Sequence, residues 1–116
     1  MPTPFTVSHP LGRIPTFAEL QELAREQAVQ INGNDQAGEF SHPRATGNYT
    51  FAKNGEIRGE FTGHLGVGII TGIYMFMTEK VEVTITKKPF LIPEGPLKSN
   101  IVEGLKGFCA KFPPLV

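Results

Sequence analysis

Three histidines, His9, His42 and His64, are the first candidates for catalysis or metal binding in this chain. Imidazole titrates near neutrality and is a common nitrogen ligand for zinc. No two of the three stand at i, i+4 spacing or in an HExxH frame, so spacing supplies no ligand pair. Each reads as a turn or loop residue, and only convergence in space would make them a site. Cys109 falls on the apolar stripe of a C-terminal helix, whereas a reactive thiolate needs a cationic, partly open setting; it reads as core. Gly63, Gly66, Gly68 and Gly72 invite a phosphate-loop interpretation. The run GHLGVG, however, lacks GxGxxG spacing and stands between strands instead of opening a helix, so these glycines read as bends or bulges that let a sheet curl. Arg58, Glu60, Glu82 and Thr84 share a polar strand surface. Two carboxylates there could work as acid and base, but nothing apolar surrounds them to shift either one. A solvated face is the reading, and no catalytic residue, cofactor or metal site is expected.

What remains is an anomaly of period in the stretch 66–86. Odd positions of the segment 69–77 are Ile69, Thr71, Ile73, Met75 and Met77, and even positions are Ile70, Gly72, Tyr74 and Phe76. A strand with one wet face alternates apolar with polar, and this one is apolar on both faces. The next strand does alternate, Val81, Val83 and Ile85 against Glu82, Thr84 and Thr86. Two registers of the intervening turn, 78–80, stay open: Val81 opposite Met77 buries the odd face, and Val81 opposite Phe76 buries the even one. Full burial of such a side chain is worth about 1.5–3 kcal/mol, so the second face calls for a cover. Within the monomer that cover is the loop 32–47 or the crossover residues Phe90 to Ile92. Between molecules it is a homodimer contact, an apolar polymer surface or an apolar ligand, to which methionine adapts well. Ile69, Ile73, Met75, Met77, Tyr74 and Phe76 are the candidate contact residues.

The elements that would position this hairpin follow in order. Phe5 and Val7 share one side of a short edge strand, and the run HPLG, 9–12, turns it. Thr16 and Glu19 form a capping box for a helix reaching to about Ile31, with Phe17, Leu20, Leu23, Ala24, Ala28 and Ile31 on its inner face and Asn32-Gly33 as its stop. The polar, glycine-rich segment 32–47 reads as a long loop pinned by Phe40. A hairpin follows over 48–63, in which a three-residue loop, Lys53-Asn54-Gly55, sets Phe51 opposite Ile57. The proline-bounded crossover 87–95 carries Phe90, Leu91 and Ile92, too apolar to be left in water. A last helix runs from Pro96 or Ser99 to about Lys111, with Leu97, Ile101, Val102, Leu105, Phe108, Cys109 and Phe112 as its stripe and Pro113-Pro114 as its end. The expected fold is α+β, a two-layer sandwich of order β-α-β-β-β-β-α, its curved antiparallel sheet carrying both helices on one face.

Composition bounds the function. A chain of 116 residues with 40% hydrophobic content suits a single domain, 1–116. Eleven basic and eleven acidic residues cancel, which leaves no field to gather nucleic acid or anionic lipid. The longest apolar run is about half of a membrane-spanning helix, so no membrane span is expected. A lone cysteine and the lack of a leader point to a cytoplasmic setting.

The His9-Pro10-Leu11-Gly12 turn running into a capped helix is similar to the start of the small bacterial proteins of the polyhydroxyalkanoic acid system family. Gly68 and Gly72 ahead of an apolar strand, Val81-Glu82-Val83, Pro89-Phe90, and Leu97-Lys98 leading to Ile101 and Leu105 strengthen the likeness. Those proteins have a shorter, more charged hairpin where this chain has 74–80, and a tighter link after the first helix. The resemblance implies association with storage-polymer granules, and the two-faced strand supplies the apolar surface with which a non-enzymatic protein would meet the granule or a second copy. It implies no catalytic residue. The alternative from fold analogy is a small apolar-ligand binding module, with a cavity between the curled sheet and the C-terminal helix.

Overall fold

Strand periodicity governs more of this chain than its composition suggests. The structure, a computed structural model, describes residues 4–65, 68–90 and 92–112. In order the elements are β1 (Phe5–Ser8), α1 (Phe17–Glu26), β2 (Gln30–Gly33), β3 (Ala37–His42), β4 (Ala45–Phe51), β5 (Ile57–Leu65), β6 (Gly68–Phe76), β7 (Lys80–Lys87) and α2 (Glu94–Cys109). The seven strands form one open antiparallel sheet in the order β1-β7-β6-β5-β4-β3-β2. The architecture is α+β as expected, with two strands, β2 and β3, added to the expected order. Alternation brings Val7, Tyr49, Ile57, Phe76, Val81 and Val83 to one face, where all are buried. Both helices pack on that face: Phe17 of α1 meets Tyr49 and Phe51, and Phe108 of α2 meets Phe76.

The added strands come from an early helix end. The capping box at Thr16 and Glu19 forms as expected, but α1 stops at Glu26 instead of reaching Ile31. Val29 N–H donates to the Ala24 carbonyl at 2.8 Å and Ala28 N–H to that of Arg25 at 3.5 Å. This is a Schellman closure, with Ala28 at the left-handed position, φ 59°, that glycine usually fills. Val29 and Ile31 therefore leave the helix, and Ile31 takes the inward side of β2 opposite Phe40.

The segment 32–47 is correspondingly not a loop. Asn34 Oδ1 accepts from the Gln36 and Ala37 N–H groups to make the β2–β3 turn, and β3 pairs along its whole length with β4.

Two register questions resolve. Phe51 stands opposite Ile57 across the three-residue loop, with Gly55 at φ 89°. Phe76 stands opposite Val81, so the even face of β6 is the inner one. Thr71 faces Lys87 and Gly72 faces Ile85, which makes Thr86 an extra residue, its hydroxyl 3.1 Å from that of Thr71.

The crossover differs from expectation. Phe90 is 94% exposed, because Ile92 N–H closes a turn onto the Pro89 carbonyl and the Lys88 amine onto the Ile92 carbonyl; Leu91 lies outside the described residues. α2 begins at Glu94, earlier than expected, with Pro93 as an N-cap that offers no side-chain bond. Its inward stripe is the expected one, with Leu97, Cys109 and Phe112 buried. Pro113 and Pro114 lie outside the described residues. No helix among the described residues is long and apolar enough to cross a membrane.

Candidate functional site

The inner face of the sheet is paved by a repeated cross-strand pair. Tyr49 stands opposite Gly38, Phe40 opposite Gly47, Tyr74 opposite Gly59 and Phe61 opposite Gly72. Each aromatic side chain lies across its glycine. An added Cβ on Gly38 would meet the Tyr49 hydroxyl, on Gly47 the Phe40 ring, on Gly59 the Tyr74 hydroxyl and on Gly72 the Phe61 ring. Glycine gives up packing and rigidity in a strand, and here the partner ring covers the exposed backbone. The rings lie low over the sheet instead of standing up from it.

Above this floor the helices stay apart. No Cα of α1 comes within 8 Å of one in α2. α1 is anchored through Phe17, and α2 through Leu97 near β1 and through Phe108 and Phe112 near Phe76. Between floor and helices lies a cavity of about 580 Å³. Leu20, Leu23, Ala24 and Gln27 form the α1 wall, and Ile101, Gly104, Leu105 and Phe108 the α2 wall. Gln27 and Gly104 are both exposed, which places the mouth between the helices.

Among the described residues the lining contains no charged side chain. Tyr49 donates its hydroxyl proton to the Asn34 carbonyl and Tyr74 to the Asn48 carbonyl, both at 2.8 Å. Burial pushes both phenols up from their ordinary range, helped at Tyr49 by the charge of Asp35 and at Tyr74 by Tyr49. Among the described residues no buried side-chain nitrogen or oxygen lacks a hydrogen-bond partner. On the outer side of the sheet, around Asn32, Glu39, Ser41 and Thr46, is a polar hollow of about 350 Å³.

The six contact residues expected from sequence divide between two faces. Tyr74 and Phe76 line the cavity. Ile69 and Ile73 point to the opposite side, 51% and 47% exposed, and Met75 shares their face between Arg58 and Glu82. Met77 closes the β6–β7 turn, its N–H donating to the Lys80 carbonyl. Neither the segment 32–47 nor Phe90 covers Ile69 and Ile73. The cavity residues that the sequence reading missed are Gln27, Val29 and Gly104, with Phe40 and Ile31 expected in a loop and a helix instead of in strands. The signal was present as glycine opposite aromatic, and as a glycine inside the α2 stripe.

The remaining candidates do not converge. His9 is buried against Phe76 with Nε2 2.7 Å from the Met77 carbonyl and Nδ1 accepting from Leu11 N–H. His42 ends β3 and its Nδ1 accepts from Arg44 N–H, while His64 lies opposite Ile69 on the outer face. No group of three or more histidine, cysteine or acidic residues among the described residues is arranged to hold a metal. Cys109 is 1% exposed, and burial pushes its thiol up. Arg58 and Glu60 are exposed on the outer face, separated by β6 from Glu82 and Thr84. Gly63, Gly68 and Gly72 lie in strands, and Gly66 falls outside the described residues.

No protein-family model, curated protein or solved structure matches this chain.

Proposed function

We propose that this protein binds a small apolar molecule in the cavity between the sheet and the two helices. The observation that carries the reading is the size and chemistry of that space: about 580 Å³ with an uncharged, chiefly aliphatic and aromatic lining. Ligand sites usually measure about 300–1,000 Å³ and are lined in this way. An apolar space holds water poorly, so an apolar occupant stabilises the fold as well as filling it. The test is titration with a neutral fluorescent probe, N-phenylnaphthylamine. Saturable binding at one probe per chain, with a rise in Tm at excess probe, is expected. Absence of both fluorescence enhancement and a Tm shift would refute the reading.

A second reading rests on the outer face of β6, where Ile69 and Ile73 are about half exposed amid threonine and charged neighbours. There the chain would meet a second copy or, following the family resemblance, a storage-polymer granule. Light scattering and granule pelleting test it. A monomer that stays in the supernatant at low salt would refute it, and Ile73→Lys should abolish any contact seen.

A further inference from the structure

The walls of the cavity decide which part of a ligand can enter it. Three lining side chains carry polar atoms: Gln27, Tyr49 and Tyr74. Both phenols donate their proton to a backbone carbonyl, of Asn34 and of Asn48. Their hydroxyls lie against Gly33, Gly38 and Gly59, none of which lines the space, so the tyrosines turn ring carbon toward it. Gln27 is exposed at the mouth. A polar group carried past it would lose its water and gain no partner, which is costly for a neutral group and more so for a charge.

At the mouth the opposite holds. A Cβ added on Gly104 meets nothing within 4 Å, so that end is open to water. Exposed side chains of both signs neighbour the mouth residues in sequence, Arg25 and Glu26 before Gln27, Glu103 and Lys106 about Gly104. Neither charge is favoured there.

We infer, on the cavity reading above, that the ligand is an amphiphile held tail-first, its hydrocarbon chain in the cavity and its polar end in water between the helices. The site selects for hydrocarbon and takes neutral, acidic and basic ends alike. At about 30 Å³ for each water-sized group, a space of about 580 Å³ has room for every carbon of a dodecyl chain.

Displacement of N-phenylnaphthylamine from the wild-type protein at neutral pH tests this, with each competitor below its micelle concentration. Octanol, decanol and dodecanol read the chain; decanol, decyl methyl ether, decanoate and decylamine read the polar end. Affinity should rise about fourfold for each added methylene. The four decyl compounds should agree within about fivefold, the usual reach of a charge left in solvent. Decanoate and decylamine both weaker than decanol by more than about a hundredfold would put the polar end inside and overturn tail-first binding. A preference for any single end beyond the fivefold range overturns the indifference to the polar end. Affinity that fails to grow from octanol to dodecanol overturns the filling of the cavity by the chain. In each of these cases the probe still binds and the cavity reading stands. If neither the probe nor any competitor binds, both readings fall together.

Discussion

Replacing Gly104 by leucine would put four carbon atoms into the cavity. Gly104 sits within the Ile101, Leu105 and Phe108 stripe of α2, all four lining the space, at a position where a packed helix carries a large apolar residue. An added Cβ there meets nothing within 4 Å. Gly104→Ala therefore gains helix propensity without a clash, about 0.5–1 kcal/mol. The further carbons of leucine, half buried at about 0.8 kcal/mol per methylene, bring the total to about 1.5–3 kcal/mol. At about 3–6 °C per kcal/mol for a chain of this size, Tm should rise by roughly 5–15 °C. Thermal unfolding followed by circular dichroism reads this without ligand. Probe titration should then show affinity at least about tenfold weaker, because side chain and ligand compete for one volume. A more stable protein that binds less well separates cavity filling from damage to the core, which would lower both. The reasoning is refuted if Gly104→Leu lowers Tm while Gly104→Ala does not, since the wall would then already be packed. A raised Tm with unchanged affinity would place the ligand elsewhere.

Ala28→Gly should stabilise the fold by about 1 kcal/mol in urea denaturation, because alanine pays the left-handed backbone penalty there. The Arg13 guanidinium, 2.6 and 2.7 Å from the two oxygens of Glu19, together with the Thr16 N–H, holds the Glu19 carboxyl well below its ordinary value, at about 2. The folded carboxylate thus keeps its charge where the unfolded one protonates. Its contribution, about 1 kcal/mol for a pair so near the surface, is whole above about pH 4.5 and fades as pH falls toward 2; Glu19→Gln should remove that acid slope. Gly59→Ala should lower stability by about 1–3 kcal/mol, since the new carbon meets the Asn48 carbonyl. Ile73→Lys should change unfolding free energy by less than about 1 kcal/mol, whereas Phe76→Ala should cost about 3–5 kcal/mol; equal effects would mean that β6 does not have the inner and outer faces described.

Where one local rule decided the outcome, the sequence could be read. The capping box, the Lys53-Asn54-Gly55 loop and the clean alternation of β7 each depend on neighbours within a few residues. Two failures trace to substitutions that hide a rule. Alanine at 28 stands where glycine would have marked the helix end, so Ala28 and Ile31 passed for a continuing helical stripe. β3 holds Gly38, Phe40 and His42 on its inner side, with Phe40 the one large apolar side chain among them, too little apolar content to reveal period two. The two-faced β6 was legible as an anomaly, but its cause was not: one face turns to a cavity and the other stays half exposed. Phe90 shows the opposite limit, an apolar residue held out in solvent by the turn around it.

The cavity is made by subtraction on both sides. Four inward positions in the sheet are glycines beneath cross-strand rings, and a fifth glycine stands in the facing helix stripe. The outer face of the same strands shows no such economy, its pairs being Thr62 with Thr71, Glu60 with Ile73 and Arg58 with Met75. A core that was merely loose would have no reason to confine glycine–aromatic pairs to the side facing the helices. Gly104 gives up about 0.5–1 kcal/mol relative to alanine, while at the four sheet glycines the partner aromatic side chain stands where a Cβ would reach. Space left open in this way, with an uncharged lining among the described residues, favours the binding reading proposed above over imperfect packing.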